Sequence, residues 1–210
     1  MKLNVAAVLR KELKRRSWTR ETVALGTNTD PPYQRAEGRY KLMPGVIAAL
    51  AESRTPFSIL TKGTLIRRDL PLLRQAAGQV PVSVGISLAI IDPDLQKKIE
   101  PGTPSPQARL SLIRDLADAG LAPHVMVAPV IPYLTDAKSH LDELLGALAD
   151  AGGVGCDRVP DAPAVVDQAV VPGVAGRGAS GAHPPVSRPL RARRLRDARV
   201  LVVAAGADAA

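Results

Sequence analysis

Four short apolar segments, each ending in polar residues and followed by a helical pattern, constrain this 210-residue chain most. The segments are Val23–Gln34, Pro56–Gly63, Val80–Ser87 and Val125–Pro132. Short apolar runs of this kind are typical of strands that are buried on both faces of a parallel sheet. Four strand–helix units in series predict an α/β fold, an incomplete (β/α) barrel of the TIM type. In such a barrel the site lies on the rim formed by the carboxyl ends of the strands.

Hydrophobic periodicity places the individual elements. We predict helices over 5–16, 40–52, 69–78, 107–119 and 135–152, with Asn4 capping the first, and strands over 22–25, 57–61, 82–90 and 124–130. The proline-rich segments 92–94 and 100–106 are predicted to be loops. On the third strand Ser83, Gly85 and Ser87 alternate, so they share one face, which we assign to the barrel interior.

The composition changes after Gly153. Residues 154–210 are dense in Pro, Gly, Ala, Val and Arg and show no sustained period, so we expect an irregular or disordered tail after a barrel domain of residues 1–153. Only Arg199–Ala204 has the pattern of another strand. This composition is also typical of a shifted reading frame in GC-rich DNA, which translation of the other two frames would test.

The net charge favours a nucleic-acid-binding protein, but the distribution of the basic residues does not. The net charge is +8, but the basic residues cluster at 10–16 and 188–199, and such runs are more often solvated helix faces. Aromatic residues make up 2% of the chain, which disfavours recognition by base stacking. No apolar run approaches the roughly 20 residues that cross a bilayer, and no secretory leader pattern occurs, so we expect a cytoplasmic protein.

Four further motifs occur in order: Gly26-Thr-Asn-Thr-Asp-Pro, Ile59-Leu-Thr-Lys-Gly63, Glu100-Pro-Gly-Thr-Pro and Ala128-Pro-Val-Ile-Pro-Tyr-Leu-Thr-Asp136. Together they resemble the radical S-adenosylmethionine superfamily, in the spore-photolyase-like branch often described as DNA repair photolyases. The resemblance runs from Leu3 to Gly153. It implies a [4Fe-4S] cluster and S-adenosylmethionine as cofactors, and nucleic acid as the substrate class. The implied reaction is reductive cleavage of the sulfonium to a 5′-deoxyadenosyl radical that takes a hydrogen atom from the substrate.

The resemblance implies cofactor contacts on the first two strands. Thr29 and Asp30 would lie beside the amino-acid end of S-adenosylmethionine, and Lys62 would pair with its methionine carboxylate. Each has an alternative interpretation from the residues alone. Asp30 before two prolines is also a common turn residue, and Lys62 before Gly63 also fits a solvent-exposed lysine.

The resemblance implies three more contacts, from the third and fourth strands and from the helix after the proline-rich loop. Ser87 would hydrogen-bond the ribose or the carboxylate, and Pro129 would flank the adenine. Arg109 would clamp the carboxylate with its planar fork of donors. Ser87 alternatively fits a small residue that fills the barrel, and Arg109 a helix-surface arginine paired with Asp115 or Asp118.

The cysteine content departs from the family pattern. The superfamily holds its cluster on three closely spaced cysteines after the first barrel strand, whereas this chain has one cysteine, Cys156. We therefore expect no metal ligands in this chain. We also expect the cysteine-bearing segment to be encoded upstream of Met1, which makes this a truncated member that is inactive by itself.

Three functions remain open at this point. The first is a radical S-adenosylmethionine protein of the photolyase-like branch, and the second is a non-catalytic basic module that binds nucleic acid or a partner protein. The third is an enzyme that uses Asp30, Lys62 and Glu100 without a metal. It ranks last because no histidine lies convincingly beside a nucleophile and no phosphate loop is present. His124, at a strand start, is expected to be structural.

Overall fold

A parallel sheet forms the centre of the computed structural model, which describes residues 4–26, 33–152 and 200–204. Within those ranges the sheet has five strands, β1 (Val23–Leu25), β2 (Phe57–Thr61), β3 (Val82–Ser87), β4 (His124–Val130) and β5 (Val200–Ala204). Their order in the sheet is their order in the chain, and every neighbouring pair is parallel. Strands added one after another in this way build a barrel wall, so the predicted fold class is confirmed.

Helices connect successive strands along the chain. They are α1 (Val5–Leu13), α2 (Arg35–Tyr40), α3 (Met43–Glu52), α4 (Leu70–Ala77), α5 (Pro93–Ile99), α6 (Pro106–Asp118) and α7 (Lys138–Asp150), with a 3₁₀ helix at Thr64–Asp69. Of the helices in the described ranges, none combines the length and the apolar character needed to cross a bilayer.

The predicted helix over 40–52 is wrong in its first part, because the chain forms two helices there. Lys41 takes a left-handed conformation, with φ of 47°, and ends α2. The carboxylate of Glu37 then accepts hydrogen bonds from the backbone N–H groups of Leu42 and Met43, at 2.9 and 3.0 Å. A glutamate that reaches forward to the next helix has no short sequence signature, so the break was missed.

Segment 92–94 was predicted to be a loop, and it begins α5 instead. The carboxylate of Asp92 accepts hydrogen bonds from the backbone N–H groups of Asp94 and Leu95, and Pro93 occupies the first turn. An aspartate followed by proline is also a helix start, because it satisfies amides that the helix leaves unpaired. Asn4 occupies the N-cap position of α1, as predicted, but its side chain makes no capping hydrogen bond.

The C-terminal region contributes the fifth strand of the sheet, as predicted. Residues 200–204 pair in parallel with β4, as the pattern of Arg199–Ala204 indicated. The third strand is shorter than predicted, because it ends at Ser87 and residues 88–91 continue as buried irregular chain. The remaining tail lies outside the described residues, so the division into a barrel domain and a tail stays a prediction.

The two faces of the sheet differ in character. On β2, Phe57 and Ile59 are buried with helix residues such as Leu50 in one hydrophobic core. The alternate residues, Ser58 and Leu60, are half-buried on the other, concave face. One face therefore packs against the helices, and the concave face is left for a site.

His124 and Gly85 form a close packing contact on that concave face. A Cβ atom placed on Gly85 would lie 2.3 Å from His124 Nε2, so the absence of a side chain makes room for the imidazole. His124 Nδ1, on β4, lies 3.3 Å from the hydroxyl oxygen of Ser83, which is on β3 like Gly85. Burial lowers the pKa of His124 and so favours the neutral ring. This packing gives His124 a role in joining β3 to β4.

We predict that Gly85→Ala lowers the free energy of unfolding by about 1–3 kcal/mol, because the new methyl group overlaps the imidazole. Urea unfolding followed by circular dichroism measures the effect. The double variant Gly85→Ala/His124→Ala should be no less stable than His124→Ala alone, since the overlap is then removed.

Gly146→Ala is the matched control, because a Cβ on this helical glycine meets nothing within 4 Å. Alanine at an open helix position is neutral or stabilises by up to about 1 kcal/mol. Equal stabilities for Gly85→Ala and the unsubstituted chain would contradict the close packing described here.

Candidate functional site

A cleft of about 1180 Å³ opens at the carboxyl ends of the strands. Its lining includes Gly26 after β1, residues 60–65 around the end of β2, Ser87, Met126, residues 101–104, and residues 33–36 with Gly38. Barrel sites lie at this end of the strands, because loops from several βα units meet there. The volume is large enough to take a nucleoside-sized ligand.

Lys62, directly after β2, brings a positive charge into the cleft. Its Nζ donates a hydrogen bond to Glu100 Oε1 at 2.5 Å, and the lysine side chain is 29% exposed. The turn that carries it is tight, because Thr61 Oγ1 accepts a hydrogen bond from the Gly63 N–H at 2.9 Å. A Cβ on Gly63 would lie 2.5 Å from the carbonyl oxygen of Tyr33, so glycine permits the close approach of these two cleft walls.

Arg109 lies beneath the cleft and is fully buried. Its guanidinium donates four hydrogen bonds: to Pro104 O at 2.9 Å, Ser87 O at 3.1 Å, Glu100 Oε2 at 2.6 Å and Thr103 Oγ1 at 2.7 Å. All four acceptors belong to the protein, so the guanidinium joins the end of β3 to the loop 100–104.

The alternative interpretation of Arg109 as a helix-surface arginine is wrong. Asp115 pairs instead with Arg67, with Nε and Oδ2 2.5 Å apart. The start of α6 explains the buried position, because Ser105 Oγ accepts a hydrogen bond from the Ala108 N–H and so places Arg109 in the first turn. Arg109 therefore points inward from the helix end nearest the cleft.

Glu100 is shared between the two cations, and we call these three residues the Lys62–Glu100–Arg109 triad. The Glu100 side chain is 8% exposed. Burial pushes the pKa of Glu100 upward, but the hydrogen bonds and positive charges of Lys62 and Arg109 outweigh burial and hold it below the ordinary value of 4.5. The carboxylate is therefore ionised at neutral pH and fixes the position of the Lys62 ammonium.

A second polar cluster lies behind the opposite wall of the cleft. Tyr33 donates a hydrogen bond to Asp69 Oδ2 at 3.1 Å, and Arg68 donates to both Asp69 and Glu37, each at 2.7 Å. Burial first, and the charge of Asp69 next, raise the pKa of Tyr33, so its phenol stays protonated. The cluster anchors residues 33–38, which form this wall.

The structure brings together three of the six residues predicted from sequence. Lys62 and Ser87 line the cleft, and Arg109 is bonded to the backbone of Ser87 and to the partner of Lys62. Pro129 is exposed near the end of β4 after a cis peptide bond, and it is not among the cleft-lining residues. Thr29 and Asp30 lie outside the described residues.

Sequence reasoning missed the central place of Glu100 and Thr103. Glu100 opens one of the four motifs, but a chemical role was predicted for it only in a metal-free enzyme, and none was predicted for Thr103. The sequence does carry a signal that Arg109 is buried. One face of the helix carries Arg109, Ile113 and Leu116, at i, i+4 and i+7, and the last two are fully buried. An arginine on such a stripe requires a buried acidic partner.

The two implied cofactors fit this chain differently. In the part of the chain that the structure describes, no group of three or more His, Cys, Asp or Glu residues could hold a metal ion. The full sequence contains one cysteine, Cys156, which lies outside the described residues. A [4Fe-4S] cluster needs several cysteine thiolates, so the residues of this chain do not fit the cluster. The cleft, with an ammonium and a hydroxyl at its strand ends, fits S-adenosylmethionine.

Comparison with known proteins gives a relative of similar sequence. An uncharacterized protein of Mycobacterium tuberculosis is 69% identical over 155 residues, which cover 74% of this chain and 45% of the relative. The chain thus spans less than half the length of that relative.

Two solved structures share the fold. A mutant of spore photoproduct lyase matches with a TM-score of 0.56 and 19% identity over 71% of this chain and 42% of its own. SuiB of Streptococcus suis matches with a TM-score of 0.52 and 14% identity over 98% of this chain and 43% of its own. At these identities the likeness concerns the fold alone.

A sequence model of the radical SAM superfamily matches residues 3–159, which is most of the chain. The match covers every strand and helix from α1 to α7, including the elements that form the cleft. The chain therefore belongs to the radical SAM superfamily, as its ordered motifs predicted.

Proposed function

We propose that the cleft binds S-adenosylmethionine, with the Lys62 ammonium pairing with the methionine carboxylate and Ser87 hydrogen-bonding the ribose or the carboxylate. One observation carries this proposal: Lys62 and Ser87, which the resemblance assigned to the cofactor on two different strands, line the same cleft at the ends of adjacent strands. An ammonium is a suitable carboxylate partner, and Glu100 orients it without filling the cleft. Superfamily membership is consistent with this ligand.

Two further contacts belong to the same proposal: Thr29 and Asp30, which lie outside the described residues, are assigned to the amino-acid end of the ligand. The adenine contact implied for Pro129 is left out, because Pro129 does not line the cleft. The protein's part is to bind and orient the ligand and to exclude water from it. The loop 101–104 and the wall 33–38 supply the two sides that do so.

The chemistry of the proposed ligand indicates which part of the family reaction this chain can support. S-adenosylmethionine supplies, when bound, a sulfonium that one-electron reduction cleaves, which is the reaction that the family resemblance implies. With one cysteine, the chain lacks the thiolates for a [4Fe-4S] cluster. We therefore propose that it provides the S-adenosylmethionine pocket of a photolyase-like radical SAM protein and is catalytically inactive by itself.

We predict that S-adenosylmethionine binds the chain and that Lys62→Met weakens binding by about tenfold to a hundredfold. That range matches the roughly 1.5–3 kcal/mol of a charge-assisted hydrogen bond. Isothermal titration calorimetry at pH 7.5 measures both affinities, and thermal unfolding of each variant checks that it is folded.

Lys138→Met is the matched control, since Lys138 lies on α7 in an exposed pair with Asp142. Its affinity should equal that of the unsubstituted chain. The proposed function fails if the unsubstituted chain does not bind millimolar S-adenosylmethionine, or if Lys62→Met binds it with full affinity.

We also predict that anaerobic incubation with ferrous iron and sulfide leaves the purified chain without visible absorbance, because a single thiol cannot hold the cluster. Cys156→Ser should behave identically. A brown chain that retains about four irons and four acid-labile sulfides after gel filtration, the content of one [4Fe-4S] cluster, would overturn the proposal of inactivity.

A second candidate function is binding of nucleic acid at the mouth of the cleft. Arg35, Arg39 and Lys41 are all exposed on or just after α2, and Arg35 lines the cleft. The earlier basic run at 10–16 is partly neutralised, because Arg10 pairs with Glu52. A row of cations beside a ligand cleft suits a phosphate backbone.

This candidate predicts salt-dependent binding of a fluorescent oligonucleotide. Arg35→Gln/Arg39→Gln should reduce the affinity measured by fluorescence anisotropy. It should also make the slope of log affinity against log salt concentration shallower, by the amount expected for the loss of about two phosphate contacts. Arg114→Gln, an exposed arginine on α6, serves as the control and should change neither. Identical salt slopes for the double variant and the unsubstituted chain would exclude this surface.

A further inference from the structure

The guanidinium of Arg109 is committed to the protein rather than to the cleft. It is fully buried and makes four hydrogen bonds, two of them to the backbone oxygens of Ser87 and Pro104. A ligand carboxylate could bind Arg109 only if these bonds were broken. Breaking a buried, hydrogen-bonded ion pair costs much more than a new surface contact returns.

The acceptors of Arg109 are themselves parts of the cleft. Ser87, Thr103 and Pro104 line it, and Glu100 holds the lining residue Lys62. Thr103 Oγ1 also donates a hydrogen bond to the carbonyl oxygen of Glu100 at 2.8 Å, which closes the loop on itself. One buried cation therefore ties the ends of β2 and β3 to the loop 100–104.

We propose that Arg109 is a positioning residue that holds Glu100 and the loop 100–104 in place, so that Lys62 alone of the triad contacts the ligand carboxylate. The inference rests on the proposed function for the identity of the ligand. It replaces the direct carboxylate contact that the family resemblance implied for Arg109. The physical reason is preorganisation: a wall fixed before binding does not have to be ordered by the ligand.

The first test needs no ligand. Hydrogen–deuterium exchange of the full chain should show slow exchange at the Thr103 N–H, which donates to Glu100 O at 3.2 Å. Arg109→Met should raise exchange in the peptide that covers residues 100–104 by about tenfold or more, because the loop loses its three hydrogen bonds to the guanidinium. Arg114→Met, on the exposed face of the same helix, is the control and should leave that peptide unchanged.

Thr103→Val provides a second variant in case Arg109→Met does not fold. It removes one acceptor of Arg109 and leaves the buried ion pair with Glu100 intact. It should raise exchange in the same peptide by a smaller factor. Unchanged exchange of residues 100–104 in the folded variants would overturn the positioning role, whatever the chain binds.

The second test is a double-mutant cycle in S-adenosylmethionine affinity. If Arg109 acts through Glu100, then Arg109→Met and Glu100→Gln should each weaken binding roughly tenfold, and the double variant should bind no more weakly than the poorer single variant. Additive losses would show that Arg109 contacts the ligand by itself. If the unsubstituted chain does not bind at all, the proposed function fails and the exchange experiment still decides the role of Arg109.

The pH profile distinguishes positioning from a general loss of structure. The charged groups that face the Glu100 carboxylate, among the described residues, are Lys62 and Arg109, whereas Gln96 donates its amide to the Glu100 carbonyl oxygen. With both cations present the pKa of Glu100 is low, so affinity should be constant between pH 7.5 and about 5.

In Arg109→Met the burial of Glu100 is opposed by Lys62 alone, so its pKa rises and the carboxylate becomes protonated as the pH falls. Affinity should then drop several-fold more between pH 7.5 and about 5 than in the unsubstituted chain. Glu100→Gln should remove this pH dependence. A flat profile in a folded Arg109→Met chain that binds the ligand would contradict a role through Glu100.

Discussion

The carboxylate of Glu100 between two cations is the interaction on which the candidate site depends. One oxygen accepts from Lys62 at the end of β2, and the other accepts from Arg109 on α6. Removing one partner from a buried ion pair costs about 3–5 kcal/mol, because the other charge is left uncompensated. The same contacts that stabilise the loop after α5 therefore also set the position of the ammonium in the cleft.

The sheet makes this arrangement possible by dividing its two faces. Apolar side chains such as Phe57 and Val127 are buried in the core that the helices share, whereas the concave face includes several small or polar residues, among them Ser58 and Gly85. Gly85 admits the ring of His124 there, and Gly63 lets the two cleft walls meet. The fold and the cleft therefore depend on the same division of the sheet: one face is covered by helices, and on the other face glycine leaves room for close packing.

Sequence reasoning succeeded where a local pattern decides the structure, and failed where a distant partner does. The apolar runs predicted β2 and β4 with their observed bounds, and the resemblance assigned Lys62 and Ser87 to one cofactor, in agreement with their place in one cleft. The break between α2 and α3 depends on Glu37, whose carboxylate caps the next helix, and no periodicity records that. The burial of Arg109 depends on Glu100, nine residues earlier in a turn-like motif. The apolar stripe of α6 indicates that Arg109 is buried, but a local pattern does not identify which distant residue is its partner.

The most direct test of the central claim is a crystal structure of the chain with S-adenosylmethionine. We expect the ligand at the ends of β2 and β3, with its carboxylate within hydrogen-bonding distance of Lys62 Nζ. The guanidinium of Arg109 should keep its bonds to Glu100, Ser87 and Pro104. A ligand bound elsewhere, or an Arg109 side chain turned onto the ligand carboxylate, would contradict this account.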